Sequence, residues 1–144
     1  MNNSPETAAA WLARISSGRS GADSAFVTGL SGHLGAGKTA FVKRVADKLG
    51  VGEVVTSPTF VLMKIYGVQG PDVAFKRLVH IDAYRLERRE DLEALRFEEV
   101  VADPGNLVMI EWPENVGLEK GDMDERMNFE IKDGKYTIST QEVQ

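Results

Sequence analysis

The sequence lacks cysteine, has only two histidines, and contains no apolar run near the roughly 18 residues of a membrane span. The absence of cysteine excludes disulfides and thiolate chemistry, and no cluster of Cys and His suggests zinc. The first residues do not show the basic, apolar and small-residue order of a signal peptide. We therefore expect a cytoplasmic protein without disulfides and without a membrane partner.

The length and charge of the chain further limit the class of protein to which it can belong. With 144 residues and 42% hydrophobic content, we expect residues 1–144 to form a single domain with one core. The chain carries 17 Lys and Arg against 22 Asp and Glu, a net charge of −5. This excess of negative charge argues against a protein whose whole surface binds nucleic acid.

The most informative segment is residues 32–39, GHLGAGKT, which match the phosphate-binding loop pattern G-x-x-x-x-G-K-[ST]. Gly32, Gly35 and Gly37 let the backbone curl so that its N–H groups point at phosphate oxygens. Lys38 can reach the β- and γ-phosphates, and the Thr39 hydroxyl can bind Mg²⁺. The sequence therefore predicts a nucleoside triphosphate site.

The flanking segments support this interpretation, because a short apolar run that is typical of a strand comes before the loop and a predicted helix follows it. The remaining segments are predicted to form strands and hairpins, which are separated by turn residues, and one acidic amphipathic segment is predicted to form a helix. The predicted strands are 25–30, 60–66, 78–82, 107–110, 127–132 and 135–140. Three helices are predicted: one that starts at 4–6 and has an apolar stripe of Ala8, Trp11, Leu12 and Ile15, one after the loop whose apolar stripe runs over 41–49 and which Gly50 stops, and one over 90–101. We expect an α/β P-loop NTPase-type domain with a mixed, mostly parallel sheet between helices and a C-terminal β-hairpin.

Two acidic residues can complete the site, since a P-loop needs a further carboxylate at the end of a neighbouring strand. Glu111 closes an apolar strand and is the best candidate for holding Mg²⁺; the alternative is a solvated glutamate at a strand end. His80 and Asp82 share one face of another strand. Asp82 can hold a metal-bound water or act as a general base, or it can simply cap the strand. His80 is equally well explained as a core histidine.

Other features bear on the nucleotide. Residues 57–59, Ser-Pro-Thr, stand where nucleotide switches place a hydroxyl that responds to the γ-phosphate, although an ordinary turn also fits. Arg85 can neutralise phosphate or form a surface ion pair, and Trp112 can lie near the nucleotide or pack in the core. No N-K-x-D or T-K-x-D indicates guanine selectivity, so ATP is the default, and the protein-kinase motifs are absent.

Four blocks together resemble one family: LGAGKT at 34–39, SPTF at 57–60, HIDAYRL at 80–86 and EWP at 111–113. Their order and spacing are similar to those of the bacterial TsaE family, the ATPase component of tRNA threonylcarbamoyladenosine biosynthesis. The resemblance implies a weak ATPase that works in a complex with TsaD and TsaB and meets tRNA indirectly, through that complex.

The resemblance also implies roles for individual residues. ATP phosphates would be bound by Leu34, Gly35, Ala36, Gly37, Lys38 and Thr39, and Mg²⁺ by Thr39 and Glu111. The catalytic set would be Lys38, Asp82 and Glu111, and Thr7 matches a family threonine near the base. The chain departs from the family at His33, where a small polar residue is usual, and at Lys135, where arginine is common.

Two other functions are compatible with a P-loop. One is a small-molecule kinase in which Asp82 activates an acceptor hydroxyl, although the sequence shows no arginine-rich lid. The other is a regulatory subunit that binds ATP without hydrolysing it.

Overall fold

The fold was determined as a computed structural model, which describes residues 7–56, 62–70 and 74–142. In chain order, its elements are α1 (Ala8–Ser16), β1 (Phe26–Gly32), α2 (Lys38–Leu49), β2 (Met63–Gly67), β3 (Arg77–Asp82), α3 (Arg89–Glu93), α4 (Phe97–Ala102), β4 (Asn106–Glu111), a 3₁₀ turn (Pro113–Val116), β5 (Glu125–Lys132) and β6 (Lys135–Glu142).

The strands form one six-stranded sheet in the order β2-β3-β4-β1-β5-β6. The central pairs β3–β4, β4–β1 and β1–β5 are parallel, whereas β2 and β6 add to the two edges in antiparallel hairpins. The predicted mixed, mostly parallel sheet with a C-terminal hairpin is confirmed. None of the helices in the described ranges is long and apolar enough to cross a membrane.

Apolar side chains fill the space on both faces of the sheet. On one face α1 and α2 pack together, with Trp11 against Phe41 and Phe41 against Phe129 in edge-to-face contacts at 5.6 and 5.7 Å between ring centroids. On the other face, Leu92 of α3 and Phe97 of α4 belong to a second buried cluster. The sheet thus lies between two helical layers.

The local signals placed α2 and the terminal hairpin correctly. The predicted apolar stripe of α2 is buried, and the helix ends at Gly50, which takes the left-handed conformation with φ 76°. The turn between β5 and β6 is Asp133-Gly134, with φ values of 52° and 76°. Positive φ at both positions matches the two-residue turn that fits the twist of a hairpin.

Two predicted elements are wrong in their bounds. The expected helix over 90–101 is broken into α3 and α4, because Arg96 takes a left-handed conformation with φ 59°. Within the expected strand over 60–66, Leu62 has φ 70° and lies outside the strand, and β2 runs from Met63 to Gly67. The proposed switch segment at 57–59 and the start of that strand lie outside the described residues.

Candidate nucleotide-binding site

The carboxyl ends of β1, β3 and β4 meet at one edge of the sheet. β1 ends at Gly32, the first glycine of the loop, while β3 ends at Asp82 and β4 at Glu111, two residues of the predicted site. The parallel register pairs Glu111 with Asp82 on one side and with Leu30 on the other. Ligands of open α/β sheets bind outside this edge, so the register alone brings the two acids beside the loop.

The loop between β1 and α2 has the backbone conformation that its glycines allow. Gly35 and Gly37 have φ values of 80° and 102°, and the Ala36 N–H donates to the His33 carbonyl at 3.1 Å. Gly37 is the N-cap of α2 and has no side chain to cover the first N–H groups of the helix. The positive end of α2 therefore faces the same space as the loop amides, which suits an anion.

Lys38 is the buried cation of the site. Its side chain is almost fully buried, and its ammonium donates to the carbonyls of Gly32 and His33, the second at 2.9 Å. It also lies 4.4 Å from the centroid of the Trp112 ring. Burial lowers the pKa of Lys38, although the carboxylates of Glu111, Glu114 and Asp82 act in the opposite direction.

A hydroxyl and a carboxylate meet directly at the start of α2. The Thr39 hydroxyl lies 2.9 Å from Oε2 and 3.1 Å from Oε1 of Glu111, whose residue is 4% exposed. On the other side, the Nε2 atom of the fully buried His80 lies 2.6 Å from Oε2 of Glu111. Hydroxyl and carboxylate oxygens are the donors that Mg²⁺ prefers, so the residues present fit that ion.

Asp82 and Trp112 also line the site. Asp82 is half-buried, and its Oδ1 atom accepts a hydrogen bond from the Tyr84 N–H at 3.0 Å, which fixes the turn after β3. Trp112 takes a left-handed conformation with φ 61°, a strained choice for a bulky residue, and its ring lies 5.1 Å from that of Tyr84. Asp82 therefore does serve as a cap while its side chain also faces the site.

These groups line a cavity of about 750 Å³, large enough for a nucleotide. All the predicted site residues except Thr7 line it: Leu34, Gly35, Ala36, Gly37, Lys38, Thr39, Asp82 and Glu111. Thr7 is instead the N-cap of α1, where its hydroxyl accepts from the Ala10 N–H at 3.1 Å. Its predicted place near the base stays a prediction.

The terminal hairpin supplies a wall of the cavity that the sequence does not predict. Phe129 of β5 and Tyr136 and Ile138 of β6 line the cavity, together with Arg44 of α2. Ile138 pairs with Phe129 in the hairpin register, which places both on one face. Alternation along β6 marks that face, but no local signal shows that β5 lies beside β1.

A strand, a glycine-rich loop, a helix whose N-terminus faces the loop, and an acid from the neighbouring strand define a P-loop NTPase-like domain. The chain belongs to the TsaE family, because the family model described as threonylcarbamoyl adenosine biosynthesis protein TsaE matches residues 2–142.

Individual relatives agree with the family. The tRNA threonylcarbamoyladenosine biosynthesis protein TsaE of Treponema pallidum is 42% identical over 90 residues, which are 62% of this chain and 62% of that protein. The protein of the same name from Streptomyces coelicolor is 40% identical over 86 residues, 59% of this chain and 55% of that one. The matched part thus spans less than two thirds of these curated relatives.

The fold is also similar to that of a solved structure. The crystal structure of Bacillus subtilis YdiB is similar to this chain with a TM-score of 0.59 and 27% sequence identity, covering 88% of this chain and 74% of that one.

Proposed function

We propose that this chain binds Mg·ATP and hydrolyses it slowly, as a cytoplasmic component of the machinery that makes threonylcarbamoyladenosine in tRNA. The observation that carries the proposal is the contact of the Thr39 hydroxyl with the Glu111 carboxylate, 2.9 Å long, at the foot of a glycine-rich loop. Membership of the TsaE family and the names of the relatives support the choice of pathway.

In this proposal the chain mainly positions and neutralises the triphosphate. The loop amides and Lys38 bind the phosphates, while Thr39 and Glu111 hold Mg²⁺, which offsets the charge that develops on the transferring phosphoryl group. Asp82, which lines the cavity, orients the attacking water or accepts its proton. Positioning by few groups is consistent with slow turnover by the chain alone.

The free energy of hydrolysis would drive a conformational or product-release step in a partner transferase. We propose TsaD as that transferase and TsaB as its companion, with tRNA met through the complex. The net charge of −5 supports this indirect contact, because an acidic chain attracts the phosphate backbone poorly.

Calorimetric titration of Mg·ATP into three variants tests the site. Lys38→Ala should abolish binding, since the buried ammonium is the main cation facing the loop. Glu111→Gln should weaken the Mg²⁺ dependence of binding more than the affinity for metal-free ATP. Lys43→Ala, which changes an exposed lysine of the same helix, is the matched control and should bind normally. Wild-type affinity in Lys38→Ala would contradict the proposal.

Hydrolysis measured with and without TsaD, TsaB and tRNA tests the pathway. We expect slow release of phosphate by the chain alone and faster release in the complex. Full support of threonylcarbamoyl transfer by a non-hydrolysable ATP analogue would instead show that ATP acts only as a structural ligand. Rapid transfer of phosphate to a small metabolite would identify a kinase.

A further inference from the structure

His80 is a buried polar residue that the proposed chemistry does not yet use. It lies in β3, between Lys64 of β2 and Met109 of β4 in the sheet register, and none of its surface is exposed. Its Nε2 atom lies 2.6 Å from Oε2 of Glu111. Its Nδ1 atom is buried too, and finds no hydrogen-bond partner within residues 7–56, 62–70 and 74–142.

These two contacts determine which ring nitrogen carries the proton. A carboxylate oxygen at 2.6 Å is an acceptor, so Nε2 must donate to it. A proton on Nδ1 would bury an N–H group without an acceptor in the described structure, which is unfavourable. The arrangement is therefore satisfied best by an imidazole that is protonated at Nε2 and bare at Nδ1.

The bond from His80 differs in kind from the one that Thr39 makes. The Thr39 hydroxyl rotates and contacts both oxygens of Glu111, and in the proposed site it is itself a metal ligand. The imidazole of His80 is held in the packed sheet and contacts only Oε2. It can keep the carboxylate in one orientation while the hydroxyl turns towards a cation.

We propose that His80 is a positioning residue for Glu111. Its Nε2–H group fixes Oε2 and so holds the whole carboxylate against the Thr39 hydroxyl, which contacts both of its oxygens, so that a divalent cation meets a carboxylate already in place. This inference rests on the proposed function, because it assigns to Glu111 the role of a Mg²⁺ ligand. Groups that orient metal ligands in this way commonly change metal affinity by roughly 10- to 100-fold when they are replaced.

Two substitutions separate the hydrogen bond from the packing. His80→Phe keeps a ring of similar size but removes the donor, whereas His80→Gln offers an amide N–H near the position of Nε2. We expect His80→Phe to weaken Mg²⁺ binding in the presence of ATP about tenfold or more, and His80→Gln to recover most of that loss. Affinity for ATP in EDTA should stay unchanged in both variants. Equal Mg²⁺ affinity in wild type and His80→Phe, or equal loss in both variants, would overturn the proposal.

A double-mutant cycle removes the remaining structural explanation. In a Glu111→Gln background His80→Phe should cause no further loss of Mg²⁺ affinity, because the carboxylate that it orients is gone. A second loss of the same size would show that His80 acts through the general stability of the sheet, and would overturn the positioning role.

A spectroscopic measurement on the wild-type chain needs no variant to fold. The chain has two histidines, so the imidazole ¹⁵N spectrum contains two sets of signals, and the exposed His33 is assigned with His33→Gln. His80 should show a protonated Nε2 and a bare Nδ1, with an Nε2 proton that exchanges slowly. An Nε2 atom without a proton would overturn the inference, because it could not donate to Glu111. If the affinity of the wild-type chain for ATP does not depend on Mg²⁺, the proposed function fails. The ¹⁵N spectrum would still show whether His80 donates to Glu111.

Discussion

Replacing Gly32 with alanine tests how closely the phosphate-binding loop is built onto the sheet. Gly32 ends β1 with φ 147° and pairs with Phe129 of β5. A Cβ atom at this position would stand 2.4 Å from the Phe129 carbonyl oxygen and 3.1 Å from the Phe129 Cβ. Because the first of these atoms is backbone, β1 and β5 would have to separate.

Gly35 provides a matched control within the same loop. Its φ is 80°, so alanine is strained there as well, but a Cβ would meet no atom within 4 Å. Strain of this kind costs roughly 1–2 kcal/mol per residue, and overpacking costs roughly 1–3 kcal/mol. We expect Gly35→Ala to lose about 1–2 kcal/mol of unfolding free energy and Gly32→Ala about 2–5 kcal/mol.

Urea unfolding without nucleotide, followed by far-UV circular dichroism, measures the difference. A domain of ordinary stability, about 5–15 kcal/mol, remains folded in at least the milder variant. The slope with urea should be the same in both variants, so that the midpoints report stability directly. Equal losses in the two variants would refute the reasoning, since alanine is strained at both positions and only Gly32 adds a clash with Phe129.

The remaining predictions concern charge and fluorescence. Mg·ATP affinity should fall as the pH rises through the lowered pKa of Lys38, because the free amine loses the charge that binds phosphate; calorimetry should find no such fall in Lys38→Arg, whose guanidinium does not titrate. Mg·ATP should change tryptophan emission as the ammonium leaves the Trp112 ring, and Trp112→Phe should abolish the change even though Trp11 still emits. Hydrogen bonds from Arg89 lower the pKa of Asp122, so this pair stabilises the fold above the ordinary carboxyl pKa and ceases to do so as the pH falls through the lowered value. Asp122→Asn should therefore lower the free energy of unfolding by at most about 1 kcal/mol at pH 7, because the pair is partly exposed. In urea unfolding at strongly acidic pH, the same substitution should leave the free energy of unfolding unchanged.

The centre of the site was predictable because its residues are placed by short-range signals. The glycine spacing determines the loop, and Lys38 and Thr39 follow it at the start of a helix. Glu111 comes at the end of an apolar run, and parallel strands bring their carboxyl ends to the same edge. The direct contact of Thr39 with Glu111 is the outcome that this reasoning leads to.

The parts that could not be predicted depend on one residue's conformation or on distant partners. Arg96 divides the acidic helix by adopting a left-handed conformation that its residue type does not favour, so tertiary context decides it. The pair between Arg14 of α1 and the buried Glu125 of β5 joins residues that are far apart in sequence. The position of Tyr136 beside the loop, in the wall of the same cavity as Gly37, likewise depends on where β5 inserts in the sheet, which no periodicity reveals.

The charges around the loop indicate which form of the nucleotide the site suits. Lys38 is one buried cation, and three carboxylates act on it: Glu111, Glu114 and Asp82. A bare triphosphate would meet Lys38 and Arg44 but also the carboxylates of Asp82 and Glu111, whereas a divalent cation bound with it gives these acids and the phosphates a common partner. Moreover, the Lys38 ammonium already donates to two carbonyls, so phosphate replaces contacts rather than adding to an empty donor. We therefore expect the metal complex to bind more tightly than the free nucleotide, because the carboxylates provide a partner for the positive charge that the metal adds.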